Sequence, residues 1–449
     1  MIFACAFALG GCTVYHPQPL ASHATLTTAD ALGRLHIDPA AMPLPELAAH
    51  RFDPADGFDM EEVAMLAVAN NPDLKLARDD LGIAQAQAYS AGLLPDPQLS
   101  LANDFPGAIG YVRAFTYSIG MDVMAIVTRS ANKRAADANV RKIDLGLLWQ
   151  EWQVVAQAKQ LYTRARYQDA VLPLLRQTLD LSAARHERMT HARDAGNLTD
   201  DVVSVASIAY ADARKQYAGM LRTRQQTRRD LNALLGLAPD VDLRLAGSDA
   251  LAPLPDATLD DAVAALPQRR PDLIALQAGY QAQEQKYRAA ILNQFQTLVV
   301  SGNRARDTSN VYTNGFQVTL NLPIFNRNRG NIAIEQATRQ RLGDEYQTRL
   351  NAAYMDIARL RADGALAAGQ LAQDEAALPA LDRAAEHATQ AYAGHTIAIG
   401  QYTDAQLAAL TRRIDVAAQR DALAEQRIAL QALLGSAIPD AFSPDSSRR

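Results

Sequence analysis

Cysteine is nearly absent. Two occur, Cys5 and Cys12, both in the first dozen residues, so the body of the chain has neither a disulfide framework nor a cysteine-ligated metal site. Aromatic residues are sparse at 6% although hydrophobic residues reach 49%, and much of that apolar share is alanine. Alanine favours helices and close helix contacts over a bulky globular core. Neither charge dominates: 44 Lys and Arg against 49 Asp and Glu give a net charge of −5, with the signs interspersed. A basic footprint for nucleic acid is thereby excluded. No stretch in the body of the chain approaches the roughly 18 consecutive apolar residues of a membrane-spanning helix, so any spanning element must be a β-strand. Catalytic signatures are missing too: there is no Gly-rich phosphate loop, no Gly-x-Ser-x-Gly and no His-Glu-x-x-His. The expectation is a protein that is not an enzyme and has no cofactor.

What is present begins at the N-terminus. Residues 2–9 are an apolar run, and Leu9-Gly10-Gly11-Cys12 follows as a lipobox-like sequence, cleaved before a cysteine that then receives lipid. Cys12 is thus the expected lipidation site and residues 1–12 the signal segment. No basic residue precedes the apolar run, so this leader is expected to be shortened at its start.

The rest is a duplication. Asn70-Asn71-Pro72-Asp73-Leu74 returns as Arg269-Arg270-Pro271-Asp272-Leu273, a shift of 199 positions, and the same shift maps Leu231-Asn232-Ala233-Leu234-Leu235-Gly236 onto Leu430-Gln431-Ala432-Leu433-Leu434-Gly435. Gly196-Asn197-Leu198-Thr199-Asp200 pairs with Gly400-Gln401-Tyr402-Thr403-Asp404 at a shift of 204, which implies residues gained and later lost in the second copy. The expected organisation is a linker at 13–55, one repeat at 56–250, a second at 251–436 and a tail at 437–449, with a Pro-containing joint at 237–257.

Each repeat has the same order of elements. A helix at about 58–94, or 258–293, is interrupted near its start by Asn-Pro or Arg-Pro. Two short segments of period two follow. Phe115, Tyr117, Ile119, Met121 and Val123 alternate with polar or small residues, as do Phe316, Val318, Leu320 and Leu322; their hairpin partners are Gln98 to Phe105 and the less regular Thr297 to Gly302. Then come helices too long for a globular domain: residues 128–194 carry one proline, Pro173, and at ~1.5 Å per residue reach about 100 Å. Leu145, Leu148, Trp152 and Val155 step by three and four, as do Leu172, Leu175 and Leu179, in a coiled-coil-like seam. Gly196-Asn197 breaks the helix and Thr199 can cap the next, which returns to Gly236; the second copy is expected to run 327–397, turn at Gly400 and run 403–435.

Strands of this length fit a tilted membrane span with one apolar and one polar face. Four cannot close a barrel, because the smallest single-chain membrane barrels have about eight strands and hydrocarbon tolerates no open edge. Several chains must therefore share one barrel, with the long helices as staves of a hollow cylinder.

Taken together, the Ala67 to Leu74 segment and its second copy, Leu320-Asn321-Leu322-Pro323-Ile324-Phe325 leading into Asn326-Arg327-Asn328-Arg329-Gly330, the Gly-x-x-Thr-Asp turns and the closing Leu-x-Ala-Leu-Leu-Gly of each repeat resemble the TolC family of outer-membrane efflux proteins over nearly the whole chain. The resemblance implies a mainly α fold with a small membrane β-barrel, a homotrimer with four strands per chain, and a periplasmic helical tunnel. It also implies docking to a periplasmic adaptor fed by an inner-membrane pump of the RND type, in the outer membrane, and matches lipoprotein members through Cys12. Val123-Met124-Ala125-Ile126 departs from the Leu322-Pro323-Ile324-Phe325 pattern of the second copy.

The same resemblance assigns Gly196, Asn197, Leu198, Thr199 and Asp200, and Gly400, Gln401, Tyr402, Thr403 and Asp404, to the tunnel's inner mouth and the adaptor contact. A glycine C-cap followed by a Thr/Asp N-cap explains the same residues as helix punctuation. Asp200, Asp201 and Asp404, repeated around a threefold axis, would form an acidic gate ring, although acids at helix N-termini also favour the helix dipole. His191 and His395, each five or so residues before a tip glycine, would gather imidazoles suited to a transition metal, or serve simply as solvated helix residues. Arg129, Lys133, Arg134, Arg327 and Arg329 follow the strands and fit anchoring at the membrane interface. The Phe325 to Gly330 stretch looks like that of heavy-metal efflux members. A rival class, a periplasmic coiled-coil scaffold lipoprotein without a pore, accounts for the helices and the anchor but not for two hairpins at equivalent places.

Overall fold

The computed structural model describes residues 15–247, 251, 255–295 and 298–435. Cys5, Cys12 and the rest of the leader 1–12, Thr297 and the tail 437–449 lie outside the described residues. In chain order the elements are α1 (Ala29–Leu32), a 3-10 turn (Pro39–Ala41), α2 (Pro45–Ala48), α3 (Met60–Asn70), α4 (Pro72–Ala91), β1 (Gln98–Asp104), β2 (Ala114–Asp122), α5 (Val123–Asp194) and α6 (Asp200–Leu234). There follow α7 (Asp256–Ala264), α8 (Leu266–Arg269), α9 (Pro271–Leu292), β3 (Leu298–Arg306), β4 (Tyr312–Leu320), α10 (Arg329–Ala393) and α11 (Ile399–Leu434).

The segment at 58–94, expected as a helix interrupted at Asn-Pro, is two helices. Pro72 has no N–H to donate and holds Asn71 in extended backbone (φ −62°, ψ 128°), so α3 ends and α4 begins with Pro72 in its first turn. A capping box opens α3: Asp59 accepts from the Glu62 amide at 2.8 Å while Glu62 accepts from the Asp59 amide at 2.9 Å. The corresponding segment at 258–293 breaks twice, at Ala265 and at the extended Arg270 that precedes Pro271.

The 72 residues of α5 run without a break and pass through Pro173, and the 65 residues of α10 pass through Pro379. At ~1.5 Å per residue α5 is about 108 Å long. It starts at Val123 rather than near 128, because the Asp122 carboxylate accepts from the amides of Met124 (2.9 Å) and Ala125 (3.2 Å) and so caps a helix directly at the strand's end. Leu145, Leu148, Trp152 and Val155 are all buried; farther along, Leu175 is buried while Leu172 and Leu179 are half-buried. This seam faces α3, α4, α6, α9 and α11, so α5 is the stave against which the others pack.

The main core lies at the waist of the molecule. Leu32, Ile37, Leu44 and Leu47 pack with Val63 to Val68 of α3, with Leu148 to Ala165 of α5, and with Leu231 to Leu245 beyond the end of α6. The region expected to be a linker, 13–55, is thus in part a girdle. Thr27 exchanges backbone hydrogen bonds with Gly236 and Ala238 (3.1 and 2.9 Å), and Phe58 does so with Arg244 and Ala246 (both 2.8 Å). Pro39 and Pro45 open the 3-10 turn and α2, while its leucines supply the core. A smaller second core joins Leu259, Leu266, Leu273, Ile357 and Leu434.

Buried polar residues close the helix ends. Asn71 accepts from the Leu74 amide at 2.9 Å and donates to the Leu234 carbonyl at 2.8 Å, and Asn70 donates to the Leu235 carbonyl. One buried asparagine therefore caps α4 and ties it to the last turn of α6. Asn71→Ala is expected to destabilise the chain by about 1–3 kcal/mol, as a lost cap plus an orphaned buried carbonyl, measurable as a lower midpoint in thermal unfolding.

Candidate functional site

The four strands form one antiparallel sheet in the order β1-β2-β3-β4. Register places Leu99, Ile119, Gly302 and Phe316 in one row across it, and Leu101, Tyr117, Arg304 and Asn314 in the next row on the same face. Rows on the other face are polar or small: Ser100, Ser118, Asn303 and Gly315, then Gln98, Gly120, Ser301 and Gln317. In the two central strands the apolar face is also the more exposed one, while β1 and β4 are exposed on both faces. Along β2, Tyr117, Ile119 and Met121 are exposed while Ser118 and Asp122 are half-buried and Gly120 is buried; along β3, Val300, Gly302 and Arg304 are exposed while Ser301, Asn303 and Ala305 are not. Exposure reaches 83% at Phe316 and 69% at Leu99. This inverts the pattern of a water-soluble sheet, and water is the wrong solvent for such a surface.

The outer edges of β1 and β4 have no strand partner among the described residues. β3 also runs farther than the segment expected from alternation, reaching Arg306, because Asn303, Arg304 and Arg306 are polar by composition yet continue the ladder.

At the opposite end, α5 turns into α6 and α10 into α11. Both turns are Schellman closures. Asn197 donates to the Ala192 carbonyl (2.8 Å) with Gly196 at φ +76°, and Thr396 donates to the Ala391 carbonyl (2.9 Å) with His395 at φ +57°. The two left-handed residues are 199 positions apart, the shift seen elsewhere in the chain, and no inserted residues are needed. This corrects the second tip. Gly400, Gln401, Tyr402, Thr403 and Asp404 lie within the first turns of α11, and the turn proper is Gly394 to Ala398. Thr403 is fully buried there, its hydroxyl donating to the carbonyls of Ile399 (2.9 Å) and Gly400 (3.0 Å), so it is not an N-cap. Gly196, Asn197, Thr199 and Asp200 are exposed at the first tip, and Leu198 is half-buried.

The acids separate accordingly. Asp200 and Asp201 stand in the first turn of α6, and Arg193 lies 3.5 Å from Asp200. The Thr199 hydroxyl donates to Asp201, and with the backbone amides of Asp201 and Val202 it holds that carboxyl below the usual range. Its contribution is therefore present above the ordinary carboxylate range and is lost as pH falls through the depressed value. Asp201→Asn should lower the unfolding temperature of the chain slightly at pH 7, and the gap to the parent should close in strong acid. Asp404 belongs to a different cluster: Arg185 of α5 forms an ion pair with it, Tyr392 stacks on Tyr402 at 4.7 Å, and Arg188 lies 5.4 Å over Tyr392. These contacts lock the lower ends of α5, α10 and α11 together. The sequence did not single out Arg185, Arg188 or His186, which stacks on Tyr210 at 5.6 Å and meets Ser207 at 3.2 Å; their spacing from the tip was the only available signal.

The histidines are not equivalent. His191 is a side chain of α5, 76% exposed and 3.9 Å from Glu187, whereas His395 is the left-handed turn residue beyond α10. Among the described residues no three His, Cys, Asp or Glu side chains come together as a metal set. Of the basic residues after the strands, Arg129 donates to the Gly92 carbonyl at 2.7 Å, Lys133 pairs with Asp137 at 2.8 Å, and Arg327 donates to the Pro323 carbonyl at 3.3 Å. A cleft of about 240 Å³ at the waist is lined by Trp152, Lys159, Ala262, Arg269, Leu434 and Gly435 among others, with no histidine, cysteine or serine in its wall.

An exposed apolar sheet at one end and helical staves of about 100 Å at the other define an outer-membrane channel fold of the TolC type. Over 97% of this chain and 96% of the other, the structure is similar to the Campylobacter jejuni outer-membrane channel CmeC, with a TM-score of 0.71 at 15% identity. It is similar as well to the Vibrio cholerae outer-membrane protein VceC (TM-score 0.67, 18% identity, 85% and 97% covered) and to the open state of the Neisseria gonorrhoeae channel MtrE (TM-score 0.64, 19% identity, 84% and 89% covered). No family model and no curated protein sequence matches the chain.

Proposed function

We propose that this chain is one subunit of a homotrimeric outer-membrane conduit, anchored by lipid on Cys12. The conduit passes drugs or metal ions expelled by an inner-membrane pump and handed on by a periplasmic adaptor. One observation carries the reading: in the central strands the more exposed face of the sheet is the apolar one, and both edges of that sheet are unpaired among the described residues. In hydrocarbon each unpaired edge has to be met by another strand, and copies of β1 and β4 are the strands available. The Schellman turns 199 positions apart support a duplicated chain whose two halves supply equivalent staves. The function asked of the chain is passive. The energy for transport comes from the pump.

The tips are the parts that would meet the adaptor. On this reading they are Gly196 to Asp200 and, in place of Gly400 to Asp404, residues Gly394 to Ala398. Asp200 and Asp201 would line the mouth, while Asp404 with Arg185 holds neighbouring staves of one chain in register. Reversing one charge, Arg185→Glu, sets like charges against each other and should raise the open-state conductance or its frequency; the swap Arg185→Glu with Asp404→Arg should restore the parent. The reading as a whole is tested by reconstituting the purified chain in a planar bilayer. Discrete conductance steps support it, and a stable protein giving no steps in either tip variant would leave the scaffold without a pore.

A further inference from the structure

The outward end of the apolar sheet face carries charge that no carboxylate among the described residues neutralises. Arg304 stands in the row of Leu101, Tyr117 and Asn314, and Arg306 in the next row, between Phe115 and Tyr312. Alternation puts both side chains on the same face as Ile119 and Phe316, one and two rows closer to the hairpin turns. Arg306 lies over the rings of Phe115 (5.2 Å) and Tyr312 (5.9 Å) and donates to the Arg113 carbonyl at 3.1 and 2.6 Å. Arg113 itself lies 4.9 Å over Phe105 and donates to Asn103 at 2.6 Å. Among the described residues none of the three guanidinium groups is ion-paired to a carboxylate, and Arg304 is exposed and makes no hydrogen bond. Of the nearby acids, Asp104 is on the opposite face by alternation, and the Asp307 carboxylate accepts from the amides of Ser309 and Val311.

An unpaired guanidinium beside lipid tails is costly, and the cost falls steeply towards the interface. Rings under Arg306 and Arg113 offset part of it through cation–π contact. The remainder calls for an anion at the level where the apolar band ends, and the anions at that level of a membrane are headgroup phosphates, which guanidinium groups bind with paired hydrogen bonds. Long side chains on β3 can reach that level by extending outwards along the sheet.

We propose that Arg304, Arg306 and Arg113 form a binding site for the phosphates of an anionic lipid headgroup in the outer leaflet, one site per chain around the barrel. The inference rests on the sheet being inserted in a membrane. Arg304 supplies the uncommitted guanidinium, and the bond to the Arg113 carbonyl fixes Arg306 and brings the third charge alongside.

The test uses the purified full-length chain in neutral detergent, with retention of diphosphoryl lipid A read by native mass spectrometry against phosphatidylcholine. Arg304→Gln leaves every hydrogen bond of the sheet in place and should weaken lipid A retention by roughly tenfold or more, as expected for a lost charge-assisted pair. Arg304→Gln with Arg306→Gln should abolish the preference over phosphatidylcholine. Millimolar inorganic phosphate should not displace the lipid. Retention unchanged in Arg304→Gln, or displacement by inorganic phosphate as effective as by lipid A, would overturn the proposal. Integration of the same proteins into pure phosphatidylcholine vesicles, scored by resistance to carbonate extraction, separates the two levels. If the parent does not integrate, the membrane reading itself fails; if it integrates and only the retention result is negative, the lipid site alone fails.

Discussion

Ile119→Arg is expected to abolish stable insertion of the sheet in lipid, whereas Ser118→Arg, one residue away, is expected to be tolerated. Ile119 lies in the third of five rows on the exposed apolar face, level with Leu99 and Phe316, while Ser118 shares the polar face with Ser100 and Asn303. On the proposed reading an arginine near the middle of the lipid-facing band costs roughly 2–4 kcal/mol per chain, and the penalty recurs in every copy that shares the barrel. On the polar face the same side chain would, on that reading, point into water and add only bulk and charge to the lumen. Integration into vesicles, scored by flotation and carbonate resistance, should be lost for the first variant and kept for the second. Equal tolerance of both would mean that the face is not in lipid.

The second large effect separates the waist from the sheet. Leu148 is 1% exposed among residues of α3, α5 and the N-terminal girdle, and Leu148→Ala should destabilise the chain by about 2–5 kcal/mol through lost burial and a cavity. Phe316 is larger but 83% exposed within a single chain, so Phe316→Ala removes almost no internal packing. Thermal unfolding in detergent should show a clear drop for Leu148→Ala and little change for Phe316→Ala, while vesicle insertion should be weakened by the phenylalanine change alone. Similar melting shifts for the two would place Phe316 in a protein core and contradict an exposed lipid face.

Much of the architecture could be read in the residues. Long helical runs free of glycine clusters, the seam through Leu145, Leu148, Trp152 and Val155, and the alternation of Phe115 to Met121 all reflect short-range periodicity, which the fold preserves. The failures occurred where local chemistry mimicked something else. Gly400-Gln401-Tyr402-Thr403-Asp404 looks like a glycine turn followed by a cap, yet the chain turns at His395, a left-handed residue that is not glycine, and buries Thr403 inside the helix. No pattern of residue types marks such a position. Val123, Ile126 and Val127 are β-formers next to a strand, but the Asp122 cap starts a helix there. The prolines at 39, 43, 45 and 54 made the segment at 13–55 look like a linker, and only three-dimensional contact shows that its leucines complete the waist. Arg185 and Arg188 were invisible for a related reason: their partners, Asp404 and Tyr392, are more than 200 positions away in sequence.

The central claim is that a sheet of four strands is completed only by other copies of the same chain. The mass of the assembly purified in detergent, by native mass spectrometry or light scattering corrected for bound detergent, tests it most directly. The account predicts a particle of three chains that requires detergent to stay in solution. A single chain, soluble in buffer alone with its sheet intact, would contradict it.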